Sequence, residues 1–122
     1  MILSVSSTPP DSAARFADMF AAMGTEPRLQ IVRLLLAAHP KGIIAGDVGT
    51  ELGIPPSTLS HHLERLKREG LITVTREGTF LRYAANSAVL SELLEFLFAE
   101  CCTRTCAISP AELTFVKPER PT

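Results

Sequence analysis

No charge of either sign dominates this 122-residue chain. Twelve Lys/Arg against thirteen Asp/Glu leave a net charge of −1, and the pI is about 6.3. That balance excludes nucleic-acid binding through overall charge, so any DNA affinity has to come from a local patch. No apolar run approaches the roughly 20 residues a membrane-spanning helix needs, so no membrane partner is expected. The N-terminal MILSVSSTPP has neither a basic region nor a long apolar region of a secretory signal. A soluble, cytoplasmic protein is the expectation. Cysteines number only three, at 101, 102 and 106. An odd count in a reducing cytosol excludes a disulfide framework and argues for thiolates with a task. Internal repeats and low-complexity tracts are missing as well. So are a phosphate loop, a Cys-x-x-Cys ahead of a helix and a Ser/His/Asp arrangement. No enzyme, catalytic residue or catalytic cofactor is expected.

What is present is a 46% hydrophobic chain, enough for one domain with a small core. Dimerisation would bury more. Charge is segregated along the sequence. From His61 to Arg82 there are five Lys/Arg against three Glu, plus two His, whereas the following segment carries Glu92, Glu95 and Glu100. A basic DNA face and a non-basic dimer body fit that division.

The organising stretch is IPPSTLSHHLERLKREGLI, residues 54–72. Leu59, Leu63 and Leu66 recur at i, i+4 and i+7, one stripe of a helix. The other face carries Ser57, Thr58, Ser60, His61, Glu64, Arg65 and Arg68, and Gly70 stands where a left-handed cap falls. Small residues at the helix start allow close approach to a DNA major groove, and the longer donors reach base edges or phosphates. A solvated face on an ordinary core helix has the same pattern, so the neighbouring segments decide.

Upstream, Pro10-Asp11-Ser12 marks a helix start. Phe16, Met19, Phe20 and Met23 follow at helical spacing as far as Gly24. So many large apolar groups on a first helix suggest a dimer interface. Thr25-Glu26-Pro27 starts a second helix, with Thr25 as N-cap and Pro27 where a missing N–H is harmless. Its run of Leu29, Ile31, Val32, Leu34, Leu35 and Leu36 predicts a buried centre, ending near His39-Pro40. Gly42-Ile43-Ile44 is short for a strand but able to pair with a later hairpin. Asp47 to Leu52 reads as a short helix with Val48 inward. Gly53 turns the chain, Ile54 plugs inward, and Pro55-Pro56 opens the organising helix, giving a helix-turn-helix. After Gly70, LITVT, the turn Arg76-Glu77-Gly78-Thr79 and FLRYAA form a β-hairpin, which in this place is a wing. Arg76 and Arg82 can meet phosphates or the minor groove from it. Arg76 is nearer the tip, which favours the contact for it, whereas plain solubility is the favoured reading of Arg82. Ser87 begins the last helix, whose apolar face (Leu90, Leu93, Leu94, Leu97, Phe98) is expected to continue to Cys101 and Cys102. Residues 1–9 are expected to be flexible, 10–106 to form the DNA-binding and dimerisation domain, and 107–122 to be a mobile tail.

Taken together, MGTEPRLQIVRLLL, DVGTELGIPPSTLSHHLERLKREGLI and TREGTFLRY resemble the ArsR/SmtB family of winged-helix metal-responsive repressors over roughly Phe16 to Cys106. The recognition-helix core Ser60, His62, Leu63 with the trailing Gly-Leu-Ile carries most of that likeness. The resemblance implies a mainly α fold of about five helices with a β-hairpin wing. It also implies a homodimer joined through the first and last helices, and repression of an operon relieved by a metal or metalloid. It places Ser57, Thr58, Ser60 and His61 on the DNA-facing part of the motif, with His62 partly packed.

Inducer sites differ within the family. The segment before the recognition helix, DVGTELG, has no Cys, which rules out a Cys-x-Cys site there. The last helix has no His, which argues against a zinc site of Asp and His; a mixed site borrowing His39 stays open. What remains is Cys101-Cys102-x-x-x-Cys106. Three thiolates without a nearby imidazole suit a soft ion, and trivalent arsenic or antimony takes three donors in a pyramid. A monomethylated arsenical has two exchangeable positions and needs only a pair. Adjacent helical residues point about 100° apart, so Cys101 and Cys102 chelate poorly while the helix is intact. Ligand binding would therefore unwind the helix end. Other readings of the same scaffold are a cadmium, lead or mercury sensor, an oxidation switch, or a winged helix that binds protein. A thiol enzyme is the reading from another class.

Overall fold

The computed structural model describes residues 12–104. Among them are five helices and one small sheet: α1 (Ser12–Met23), α2 (Glu26–Ala37), β1 (Ile43–Ile44), α3 (Ala45–Leu52), α4 (Pro56–Arg68), β2 (Ile72–Glu77), β3 (Phe80–Ala85) and α5 (Ser87–Phe98). Pro10, Asp11, Cys106 and the proposed terminal segments lie outside the described residues.

α2 forms the middle of the packing. Thr25 Oγ1 accepts from the Arg28 backbone N–H at 3.4 Å, and Pro27 sits in the first turn, so the N-cap and the proline fall as their chemistry dictates. Ile31, Val32 and Leu35 are buried against Phe16 and Met19 of α1 and Leu66 of α4. The expectation that α2 is buried all round is corrected: Leu29 and Leu36 are exposed. Steps of about 100° per residue set Leu29, Arg33 and Leu36 on one outward strip, while Ile31 and Leu35 turn inward. α1 meets α5 through Phe16 and Phe96, whose ring centroids are 4.8 Å apart.

The sheet is antiparallel with order β1-β3-β2. The two-residue strand at Ile43-Ile44 pairs with Tyr83 and Arg82 of the hairpin. Gly42 is required here. It has φ +82°, and a Cβ on it would overlap the Tyr83 carbonyl oxygen. The hairpin is longer and its turn tighter than the sequence suggests. Pairing runs from Ile72↔Ala85 out to Glu77↔Phe80, which leaves Gly78-Thr79 as the loop. Arg76 and Glu77 are strand residues, not turn residues. Gly78 takes a positive φ of 64°, as a two-residue loop favours.

The last helix also differs from expectation. It stops at Phe98 and does not carry the cysteines. At its other end Asn86 caps it: Asn86 Oδ1 accepts from the Val89 N–H at 3.3 Å, and Asn86 Nδ2 donates to the Gly70 carbonyl at 3.0 Å. The Asn86 backbone N–H donates to the Leu71 carbonyl at 2.9 Å.

Candidate functional site

α3 and α4 meet across a turn that glycine makes possible. Gly53 is left-handed at φ +68°, and the Ile54 N–H closes the turn on the Gly49 carbonyl at 3.0 Å. The turn presents α4 with Leu59, Leu63 and Leu66 buried. Ser57, Thr58, Ser60 and His61 are exposed, as are Glu64, Lys67 and Arg68; Arg65 is half-buried. Donors and acceptors of graded length thus line the outer side of a thirteen-residue helix. Lys67 and Glu64 form an exposed pair at 3.6 Å, a contact worth little in water.

His62 departs from that face. Its Nδ1 lies 3.4 Å from Arg28 Nη1, and Arg28 Nε donates to the Ala22 carbonyl. Burial, then the Arg28 charge, then His61 hold the His62 pKa below its ordinary 6.5. His62 therefore belongs to the seam between α4 and the α1–α2 corner.

The two wing arginines also separate. Arg76 is exposed, with a long 3.4 Å contact to the Gly78 carbonyl. Arg82 is committed on both sides: its Nε donates to Glu77 Oε2 at 2.9 Å and its Nη1 to the Gly42 carbonyl at 3.2 Å. It ties the wing to the loop ahead of β1.

Beyond α5 the backbone passes through turns, with the Cys101 N–H donating to the Phe98 carbonyl at 2.9 Å. Cys102 is left-handed, at φ +67°. That conformation brings Cys101 Sγ to 3.4 Å from Cys102 Sγ, so the pair is already together where an intact helix would have splayed it. Hydrogen bonding to Cys102, then burial, then the Cys102 charge raise the Cys101 thiol pKa above its ordinary 9.0. Among the described residues no three His, Cys, Asp or Glu side chains gather as a metal site. Cys106, the third expected thiolate, lies outside those residues. His39 stands 3.5 Å from Ser87 at the start of α5. The cysteines follow that helix's far end, and twelve residues span roughly 18 Å. Within one chain His39 does not join Cys101 and Cys102.

Sequence reasoning missed Arg28 and Asn86. Each acts through contacts between segments distant in the chain, which a local pattern does not carry. The nearest signal for Asn86 was its place just ahead of an apolar helix.

Comparison with known proteins agrees with this arrangement. Residues 23–75 match a family model described as a helix-turn-helix domain. The chain is 30% identical over 91 residues to the transcriptional activator HlyU of Vibrio cholerae, covering 75% of this chain and 82% of that one. It is 31% identical over 87 residues to the putative arsenical resistance operon repressor ArsR2 of Halobacterium salinarum, covering 71% of each. An ArsR-like transcriptional regulator from Rhodococcus sp. RHA1 superposes with a TM-score of 0.64 at 29% identity, over 76% of this chain and 88% of that one. The homodimeric winged helix-turn-helix domain of Mb0332 from Mycobacterium bovis, a possible ArsR-family regulator, gives 0.57 at 28% identity, over 77% and 89%. No described helix is long and apolar enough to cross a membrane. A helix-turn-helix closed at Gly53, an exposed polar face on α4, a β-hairpin wing behind it, and these relatives place the chain in the ArsR/SmtB-type family of winged helix-turn-helix transcriptional regulators.

Proposed function

We propose that the protein is a cytoplasmic repressor released from operator DNA by trivalent arsenicals or antimonite, bound by Cys101, Cys102 and Cys106. The observation that carries the inducer is the 3.4 Å approach of the Cys101 and Cys102 sulfurs around a left-handed Cys102. Two thiolates at that separation, each about 2.3 Å from a shared soft ion as in zinc thiolates, subtend an angle of about 95°. That is narrower than a tetrahedral angle and suits a three-coordinate pyramid. The relative ArsR2 is described as a putative arsenical resistance operon repressor, which favours the same class of inducer.

In this reading α4 enters the major groove with Ser57, Thr58, Ser60 and His61 toward base edges, and Arg65 and Arg76 toward phosphates. His62 and Arg82 hold the reading helix and the wing in place. The working unit is a homodimer through α1 and α5, within a domain spanning 10–106. Phe20, Leu94, Leu97 and Phe98 form exposed apolar surface on those two helices, and Mb0332 is described as homodimeric. Ligation fixes the turn just past Phe98, shifts this apolar packing, and changes the separation of the two reading helices.

Fluorescence anisotropy of the reduced protein on its own promoter DNA tests the proposal, with arsenite, methylarsenite, antimonite, cadmium, zinc and peroxide titrated separately. Release by the trivalent arsenicals or antimonite supports it. Release by cadmium or peroxide with arsenicals inert overturns the inducer and leaves the DNA-binding reading intact.

A further inference from the structure

The wing ends in an apolar tip. Its strands pair out to Glu77↔Phe80, with only Gly78-Thr79 beyond. Phe80 is 58% exposed, more than any other large apolar residue among the described ones. Leu81 beside it is exposed as well, and successive strand residues point to opposite faces. The hairpin therefore carries an apolar side chain on each side of its end. Neither belongs to the core or packs against it, so the fold does not account for them.

Charge at the tip selects the partner. Glu77, the cross-strand neighbour of Phe80, accepts from Arg82 Nε at 2.9 Å. Arg76 pairs with no carboxylate among the described residues. An aromatic ring and an open cation thus stand together, with the one carboxylate beside them neutralised. A duplex uses both. Phosphates take the guanidinium, and a large apolar side chain in the minor groove slides between two base pairs. The tip is also continuous with the DNA-binding helix-turn-helix: α4 runs into β2 across residues 69–71, so reading helix and wing approach a duplex together.

We propose that Phe80 is an apolar wedge that enters the minor groove from the wing tip, partly unstacks one base step and bends the operator. Arg76 anchors the tip on phosphates at the edge of the groove. Pyrimidine–purine steps kink and unstack most readily, so the wedge selects such a step beneath the wing without a hydrogen bond to any base. α4 reads donors and acceptors, and Phe80 reads deformability. The inference rests on the reading of the hairpin as a DNA-contacting wing, and the test separates the two.

The experiment uses the reduced full chain on its own promoter duplex. A fluorescent adenine analogue that brightens when unstacked is placed in turn at each pyrimidine–purine step, and energy-transfer dyes at the duplex ends report bending. The native protein is expected to brighten the analogue at a step beside the α4 footprint and to bend the duplex by about 20° or more. Phe80→Ala should lose both signals and weaken operator binding by about tenfold, with native melting temperature, sedimentation and salt slope. Phe80→Leu, still apolar, should keep part of the bend. Replacing the brightened step by guanine–cytosine should weaken binding of the native protein by about tenfold and leave Phe80→Ala unaffected. Arg76→Gln is the contrast and should flatten the salt slope by about one unit. Native bend and affinity in Phe80→Ala overturn the proposal, as does weaker binding with the step preference intact. So does a Phe80→Ala that alters only sedimentation, which assigns the ring to a protein contact. Should Phe80→Ala fail to fold, the native protein decides, since the absence of any brightened step excludes a wedge. If Arg76→Gln flattens the slope and Phe80→Ala changes nothing, the wedge alone fails. If neither variant affects binding, the reading of the hairpin as a wing on DNA fails with it.

Discussion

Arg28 Nη1 stands 3.4 Å from His62 Nδ1, while the same guanidinium donates through Nε to the Ala22 carbonyl. One side chain thus joins the end of α1, the start of α2 and the back of the reading helix. The arrangement favours the neutral imidazole, because a protonated ring would face the Arg28 cation.

The first prediction follows from that sign. The folded-state pKa of His62 is depressed below 6.5, so the unfolded chain takes up the proton first. Stability is full above 6.5 and is lost as the pH falls through the folded-state value. Denaturant unfolding across this window should show the loss, and His62→Gln should flatten it. An unchanged acid slope in the variant would count against the Arg28 contact.

His61 is exposed on the same helix and has no such partner role. His61→Ala should cost operator binding about 1–3 kcal/mol, the scale of a base contact. Its melting temperature should stay at the native value, since an exposed substitution rarely moves stability by more than about 0.5 kcal/mol.

Among the glycines, Gly42 leaves the least room for a Cβ. Gly42→Ala forces a positive-φ residue against the Tyr83 carbonyl and should destabilise the fold by about 3 kcal/mol or more. Gly53 is also left-handed, yet a Cβ there meets nothing within 4 Å. Gly53→Asn should therefore cost under about 1 kcal/mol. Chemical denaturation of both variants distinguishes a steric demand from a purely conformational one.

Leu97 is 56% exposed on α5. Leu97→Glu should convert the proposed dimer to a monomer in sedimentation. Operator affinity should then fall by about a hundredfold or more, because the second half-site is no longer tethered. A dimer that survives the substitution would move the interface elsewhere.

The thiol pair makes two linked predictions. Hydrogen bonding to Cys102 keeps the Cys101 proton on above its ordinary value, and a soft ion must displace it. Each thiol proton leaves with a hydroxyl of the arsenical as water, so arsenical affinity should be nearly independent of pH through the neutral range, with no net proton release by calorimetry. A bare soft cation such as cadmium should instead release protons and bind more tightly as the pH rises. Cys106→Ser should abolish the response to inorganic arsenite and keep the response to a monomethylated arsenical. A retained arsenite response would rule out a three-thiolate site.

The fold was largely legible because its signals are local. Leu59, Leu63 and Leu66 announce the inward stripe of α4. Thr25 and Pro27 mark the start of α2, and Gly53 marks the turn between α3 and α4. Even the pairing of Ile43-Ile44 with the hairpin could be anticipated. Contacts set by tertiary packing were not legible. Leu29 and Leu36 look like core in the sequence, but only the arrangement of neighbouring helices decides which side of α2 is covered. Arg82 looks like a free wing cation until Gly42 and Glu77 are placed beside it. The stop at Phe98 carries no glycine or proline, so the end of α5 was read too far along. The geometry that brings the two sulfurs together was missed with it.

Asn86 gathers three lines of the chain at one point. It follows the last residue of β3, caps α5, and hydrogen-bonds the peptides of Gly70 and Leu71 just past α4. α4, the wing and α5 are therefore joined at a single residue. A tilt of α5 in the proposed dimer reaches the DNA-facing parts as a rotation of the whole block. Under the proposed mechanism, grip on both grooves is then lost in one motion, and a small local disturbance at the far end of α5 becomes an on–off signal.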